Sequence, residues 1–278
     1  MFDKQLVCVT GLPRSGSTLL CQLLAHHPSL YCPGHTSPLL QMLLNLRQNA
    51  ADNVILLAQM DQDPDGVHAQ LLNSYKGLLA GWFEHNEEPA VVDKNRGWVA
   101  QMDLAAQLDS GCKMLVCVRD LGQIFGSIEA QHQKTLAMDF ADHLADHSLF
   151  DRANRLFNKT GLVGLALNHF HHAQDLPQNL QQRLLIVVYE ELIANPQAVL
   201  DRIWPFIGMQ PIDIDFNNLN LLPPETDSHY RMKFRHTTYP KLRAAKPHAI
   251  PKRIEQELLT SYEWFYRIFY PEKLKGRD

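Results

Sequence analysis

The residues best suited to chemistry begin at Gly11. Gly11-Leu12-Pro13-Arg14-Ser15-Gly16-Ser17-Thr18 follows the apolar run Leu6 to Thr10 directly and opens a helical pattern. A strand, a glycine loop and a helix in that order aim backbone N–H groups and the positive end of a helix dipole at one point, where a phosphate or sulfate binds. An ordinary βα turn is the plainer reading, and the full octamer in this context argues against it. Against the Walker template G-x-x-x-x-G-K-[ST], both glycines and the closing Thr18 are present, but Ser17 stands at the lysine position. ATP chemistry uses that lysine on the β- and γ-phosphates with Mg2+ on the neighbouring hydroxyl, so an ordinary ATPase or GTPase is disfavoured. The loop's cation is instead Arg14, which suits a donor with one phosphate joined to a second anionic group.

Three more candidates stand at the ends of apolar runs. Val118-Arg119-Asp120 is followed eight residues after Arg119 by Ser127, a spacing that lets a guanidinium and a hydroxyl meet on one phosphate. The plainer alternative pairs Arg119 with Asp120 and bonds Ser127 to its own helix. Lys94, after Ala90 to Asp93, is a cation that could neutralise charge on a leaving oxygen, or be solvated and paired with Asp93. Tyr189, after Leu184 to Val188, has a hydroxyl that a nucleotide could satisfy, and core packing suits it nearly as well. A fifth candidate comes from the chain's path. The helix from Ser17 leads away from this edge, ends at His27-Pro28, and the extended Ser29 to Cys32 returns to deliver Pro33-Gly34-His35-Thr36, whose imidazole is a competent base near pH 7.

The elements that must position these side chains are β-like runs at Leu6–Thr10, Ala90–Asp93, Met114–Val118 and Leu184–Val188. Helical patterns lie at Ser17–His27, Ser37–Asn49, Val67–His85, Val99–Leu108 and Gly122–Lys134, with one long helix around Arg152–Ala173. Strands separated by helices predict an α/β fold of three αβα layers around a parallel sheet, because parallel pairing requires crossovers. Pro211 to Pro224 has no helical period and reads as loop, and a final helix is expected from Pro251 to about Tyr270. No repeat or linker interrupts the 278 residues, which favours a single domain over 1–278.

Twenty-six Lys+Arg against thirty Asp+Glu leave a net charge of -4, which argues against a general nucleic-acid binder. The positive charge is local: residues 228–253 hold eight Lys/Arg and no acid. This stretch is either a solvated face or a cover over an anionic ligand. No apolar run approaches a membrane span and the start lacks a leader pattern. The five cysteines form an odd set without a CxxC pair, as expected of reduced core thiols in the cytoplasm. Two histidine groups, His143/His147 around Asp146 and His169/His171/His172, complete no metal motif.

Pro13-Arg14-Ser15-Gly16-Ser17-Thr18-Leu19-Leu20 is similar to the 5′-phosphosulfate loop of the sulfotransferases, above all the Golgi-type and tyrosylprotein branch with its PRSGTT. The resemblance implies a P-loop NTPase-like fold and 3′-phosphoadenosine 5′-phosphosulfate (PAPS) as donor. Ser15, Gly16, Ser17 and Thr18 would hold the 5′-phosphosulfate with Arg14. It further implies that Arg119 and Ser127 bind the 3′-phosphate, that Tyr189 lies near that phosphate or the adenine, and that Lys94 acts catalytically. The stretch His27 to Thr36 resembles the family's HPxxxCGEET segment, with His35 in place of the catalytic glutamate. Arg235-His236-Thr237-Thr238 loosely resembles the Arg-Ser-Thr segment of a C-terminal loop that folds over the donor. In-line sulfuryl transfer to a hydroxyl acceptor without metal, leaving 3′-phosphoadenosine 5′-phosphate, is the implied activity. The sequence leaves two rivals: a nucleotide or small-molecule kinase with an atypical P-loop, and a non-catalytic nucleotide-binding protein. Unlike the Golgi relatives that its motifs resemble, the chain shows no membrane anchor, which points to a bacterial-type cytoplasmic enzyme.

Overall fold

The computed structural model describes residues 2–137, 144, 146–226 and 235–275. Its centre is an all-parallel sheet of β1 (Gln5–Gly11), β2 (Leu30–Tyr31), β3 (Ala90–Lys94), β4 (Lys113–Val118) and β5 (Leu184–Val188), in the order β2-β3-β1-β4-β5. The four expected strands are all present, and β2 is the extended return after His27.

The strands are apolar on both faces because both are covered. Leu6 and Cys8 of β1, with Met114, Val116 and Val118 of β4, face one helical layer. It comprises α2 (Leu39–Ala51), α4 (Pro64–Trp82), α5 (Met102–Leu108), α6 (Leu121–Ala137), α7 (Leu149–Phe157), α8 (Leu162–Ala173), α12 (Lys252–Ser261) and α13 (Glu263–Phe269). Val7, Val9, Leu115 and Cys117 face the opposite layer of α1 (Ser17–Leu24), α10 (Tyr189–Ala194) and α11 (Pro196–Phe206). Two short elements complete the picture: α3 (Val54–Met60), which buries no residue, and α9 (Gln178–Gln181). β6 (Glu225–Thr226) and β7 (Arg235–His236) pair antiparallel in a separate two-stranded sheet.

Besides three-residue shifts at the ends of the helices expected at Ser17–His27 and Val67–His85, three helices differ in kind from expectation. The long helix at Arg152–Ala173 is two helices, because the chain turns out at Asn158 and Gly161 lies so close that a Cβ there would sit 2.1 Å from the Arg155 carbonyl oxygen. The final helix breaks at Tyr262, whose φ of -124° leaves the helical region and whose hydroxyl donates to the Phe157 carbonyl. The helix expected at Val99 begins instead as a 3-10 turn over Arg96–Gln101, capped by the Asn95 side chain on the Gly97 N–H. Residues 211–224 form neither helix nor strand, as expected.

All five cysteines are free and buried. No helix among the described residues is long and apolar enough to cross a membrane.

The sheet positions the site. β1 is flanked by β3 on one side and β4 on the other, so connections leave it in opposite directions and a crevice opens at its C-terminal end. The registers Val9↔Lys94, Gly11↔Cys117 and Val118↔Val188 set Gly11, Lys94, Arg119 and Tyr189 along that one edge.

Candidate functional site

The loop after β1 has a conformation that only its own residues allow. Gly11 has φ +124°, and a Cβ on it would stand 2.1 Å from the Cys117 carbonyl oxygen, so β1 and β4 could not meet. Gly16 has φ +90°, and its missing Cβ leaves room for the Tyr189 ring, which a methyl would meet at 2.5 Å. Arg14 is the only non-glycine with positive φ among the described residues, at +60°. Strained backbone of this kind is typically kept at functional sites. The Ser15 hydroxyl donates to the Leu12 carbonyl at 2.6 Å, closing the turn. Helix α1 starts at Ser17 with no side-chain cap and no acid in its first turn, leaving its N-terminal amides to the cavity.

Arg14 reaches across to the next grip. Its Nε donates to Ser127 Oγ at 3.0 Å on α6, and its carbonyl accepts from Arg119 Nη1 at 3.1 Å. The side chain expected to serve the loop's own anion therefore also joins the Arg119/Ser127 pair. Arg119 is 7% exposed, lies over the Tyr189 ring with Cζ 4.4 Å from the centroid, and has a buried Nε without a hydrogen-bond partner. It does not pair with Asp120, which accepts from the Gln123 N–H at 2.8 Å and forms an ion pair with Lys273 at 2.8 Å. A buried guanidinium supported only by a carbonyl and a ring is poised for an anion.

Lys94 lies beside the loop, its Nζ donating to Thr18 Oγ1 at 2.9 Å and to the Gly34 carbonyl at 3.2 Å. It does not pair with Asp93. Strand alternation points Asp93 to the other face, where its Oδ1 accepts from Trp98 Nε1 at 2.6 Å. Burial pushes the Asp93 carboxyl above its usual range, against the opposing pull of the Ser37 and Trp98 hydrogen bonds and the His35 charge. The segment carrying His35 runs alongside the end of β3, with Thr36 bridged to Lys94 and the Ser37 N–H on the Lys94 carbonyl at 2.9 Å. Thr36 lines the cavity, whereas His35 is exposed and is not a lining residue.

These groups surround a cavity of about 340 Å³. Arg14, Ser15, Gly16, Ser17, Thr18, Lys94, Arg119, Ser127 and Tyr189 all line it; of the ten expected site residues only His35 stands apart. Arg96 and Thr10 join them, two positions not singled out from the sequence. A second wall is residues 237–246, part of the basic stretch, which contributes Lys241, Arg243 and Lys246. Seven Lys/Arg and no Asp/Glu line the cavity among the described residues. Gln22 of α1 fixes this wall by donating to the Tyr239 carbonyl at 2.8 Å and the Asn220 carbonyl at 2.9 Å, and Arg243 stacks on Tyr239. The side chains of the eight residues 227–234, including Arg231 and Lys233, and His143 of the first histidine group lie outside the described residues. His171 and His172 cluster with Asp175 on the surface, away from the cavity lining.

An all-parallel α/β sheet with a glycine loop and a cluster of cations at its switch point defines a P-loop-like fold. The family model described as "Sulfotransferase family" matches residues 7–213, and the chain belongs to that family. A Caenorhabditis briggsae protein provisionally named a protein-tyrosine sulfotransferase is 22% identical over 227 residues, covering 81% of this chain and 72% of its own. Among solved structures, the sulfotransferase domain from the curacin biosynthetic pathway matches with TM-score 0.52 at 15% identity, covering 94% of this chain and 98% of that one. A sulfotransferase from Alicyclobacillus acidocaldarius matches with TM-score 0.51 at 10% identity, covering 92% and 90%. Both share the fold.

Proposed function

We propose that the protein, acting as one domain, transfers a sulfuryl group from PAPS to a hydroxyl-bearing acceptor by in-line displacement. The observation that supports this reading is the meeting of two anion grips joined by Arg14, the loop over 13–18 and the Arg14–Ser127–Arg119 set, in one cavity whose described lining holds no carboxylate. A donor charged at both its 5′ and 3′ ends fits two grips; a triphosphate, which needs a lysine where Ser17 stands, does not.

In this reading Ser15, Gly16, Ser17 and Thr18 hold the 5′-phosphosulfate, and Arg119, Ser127 and the Arg14 side chain hold the 3′-phosphate beside Tyr189. The acceptor oxygen attacks sulfur as the bond from sulfur to the 5′-phosphate oxygen breaks. Lys94 neutralises charge gathering on that leaving oxygen, and adenosine 3′,5′-bisphosphate departs. The acceptor proton passes to His35, at the exposed lip beside Thr36. Lysine and arginine offset the negative charge, so no metal is required. Five free, buried thiols favour the reducing cytoplasm.

The experiment is a calorimetric and thermal-shift comparison of adenosine 3′,5′-bisphosphate with ATP plus Mg2+. Strong binding and a large shift with the bisphosphate alone are expected. Equal shifts, or a preference for ATP with Mg2+, would overturn the donor assignment in favour of a kinase.

A further inference from the structure

Just beyond the basic wall, His248 lies against the first turns of α6. Its backbone is held twice by one side chain: the His248 N–H donates to Gln123 Oε1 at 2.8 Å, and Gln123 Nε2 donates to the His248 carbonyl at 3.1 Å. Its Cβ rests on Gly126, where an added methyl would come within 2.3 Å. Gly126 immediately precedes Ser127, so the double clamp sets the His248 backbone and Cβ against the helix turn that carries Ser127, while His248 itself is not among the residues lining the cavity.

The charged groups facing His248 come from three elements. Arg119 at the end of β4 and Arg14 of the loop both reach its imidazole electrostatically. Asp120, at the head of α6, is tied to Lys273. On its own segment Lys246 precedes it by two residues and Lys252 follows by four. Partial burial first, then the fields of Arg119 and Arg14, hold the imidazole below its ordinary pKa, so it is neutral near pH 7. A phosphate dianion set between the two guanidinium groups would cancel that field, two negative charges against two positive.

We propose that His248 is a third, titratable cation of the distal-phosphate grip, taking up a proton as the 3′-phosphate of the donor or product binds. The inference rests on the donor reading above and adds a residue and a pH response to it. Since protonation accompanies binding, affinity rises as pH falls.

The test is calorimetry of adenosine 3′,5′-bisphosphate from pH 6 to 8.5 in buffers of different ionisation enthalpy, on the wild type, His248→Gln and His248→Lys. The phosphate's own second ionisation near pH 6 acts on all three proteins, so the difference between them isolates His248. The wild type is expected to take up a fraction of a proton and to lose about tenfold in affinity across the range, one pKa unit being worth a factor of ten. His248→Gln should show less proton uptake and weaker binding at the acid end only, and His248→Lys should keep acid-end affinity up to pH 8.5. Identical proton uptake in wild type and His248→Gln overturns the inference while leaving the donor reading intact. Failure of the bisphosphate to bind any of the three overturns both.

Discussion

The Arg119 guanidinium lies on the Tyr189 ring, and the same ring fills the space that a side chain on Gly16 would need. Three parts of the sequence, at the ends of β1, β4 and β5, thereby lock into one wall. The ring supports a cation that has no acidic partner among the described residues, at a point where the backbone allows no side chain.

Arg119→Ala should weaken adenosine 3′,5′-bisphosphate binding by roughly 10- to 100-fold, since hydrogen bonds to charged groups are worth about 1.5–3 kcal/mol. Melting of the unliganded protein should be unchanged or raised, because a buried charge without a counter-ion is removed. A large fall in melting temperature together with unchanged binding would assign Arg119 to the scaffold.

Gly16→Ala combines a forced positive φ with a clash on Tyr189. Denaturant unfolding should show a loss of about 1–2 kcal/mol from the backbone alone, more where the ring cannot move. Adding Tyr189→Ala should recover the clash component, and full additivity of the two changes would mean that the ring and the loop do not press on each other.

Lys94→Met keeps the length of the side chain and removes its charge. Donor-product affinity should change only a few-fold while kcat falls by about 10²- to 10³-fold, as when a group that stabilises developing charge is lost. His35→Ala should lower kcat by about 10²-fold or more and abolish the acidic limb of its pH profile. An unaltered profile would take the base role from His35.

Asp93→Asn tests the buried carboxyl. Its folded-state pKa is raised, so the folded protein binds more protons than the unfolded chain just above the ordinary carboxylate range. Wild-type stability should therefore fall as pH rises through that window, and Asn, which keeps an acceptor for Trp98, should flatten the decline. Urea midpoints from pH 4 to 7 would reveal it, and parallel curves for the two proteins would contradict it.

The sheet and its binding edge were legible because β1, β3, β4 and β5 are short apolar runs closed by polar residues, and because the glycine loop follows the first of them directly. Helix breaks were harder to see. Tyr262 breaks its helix while its hydroxyl donates to the Phe157 carbonyl, 105 residues away, and no local signal marks it; Asn158 ends α7 locally, its side chain accepting from the Thr160 N–H. Helix α11, absent from the sequence expectation, does carry local signals: Asn195-Pro196 at its start, then Val199, Leu200, Ile203 and Trp204 at helical spacing. The short α3 escaped because its Val54, Ile55 and Leu57 are exposed and form no buried stripe. At the site, residue types predicted the lining cations, but neither the Arg14 contact with Ser127 nor the anchoring by Gln22 and Gln123 could be read from spacing, since each spans more than a hundred residues.

Arg14 gives its carbonyl to one grip residue and its guanidinium to another, from a backbone angle that few side chains tolerate. One residue thus serves as the keystone between the two ends of the cradle. Losses from substitutions at opposite ends should then fall short of their sum, because once either end gives way the shared residue has already slackened its hold on the other.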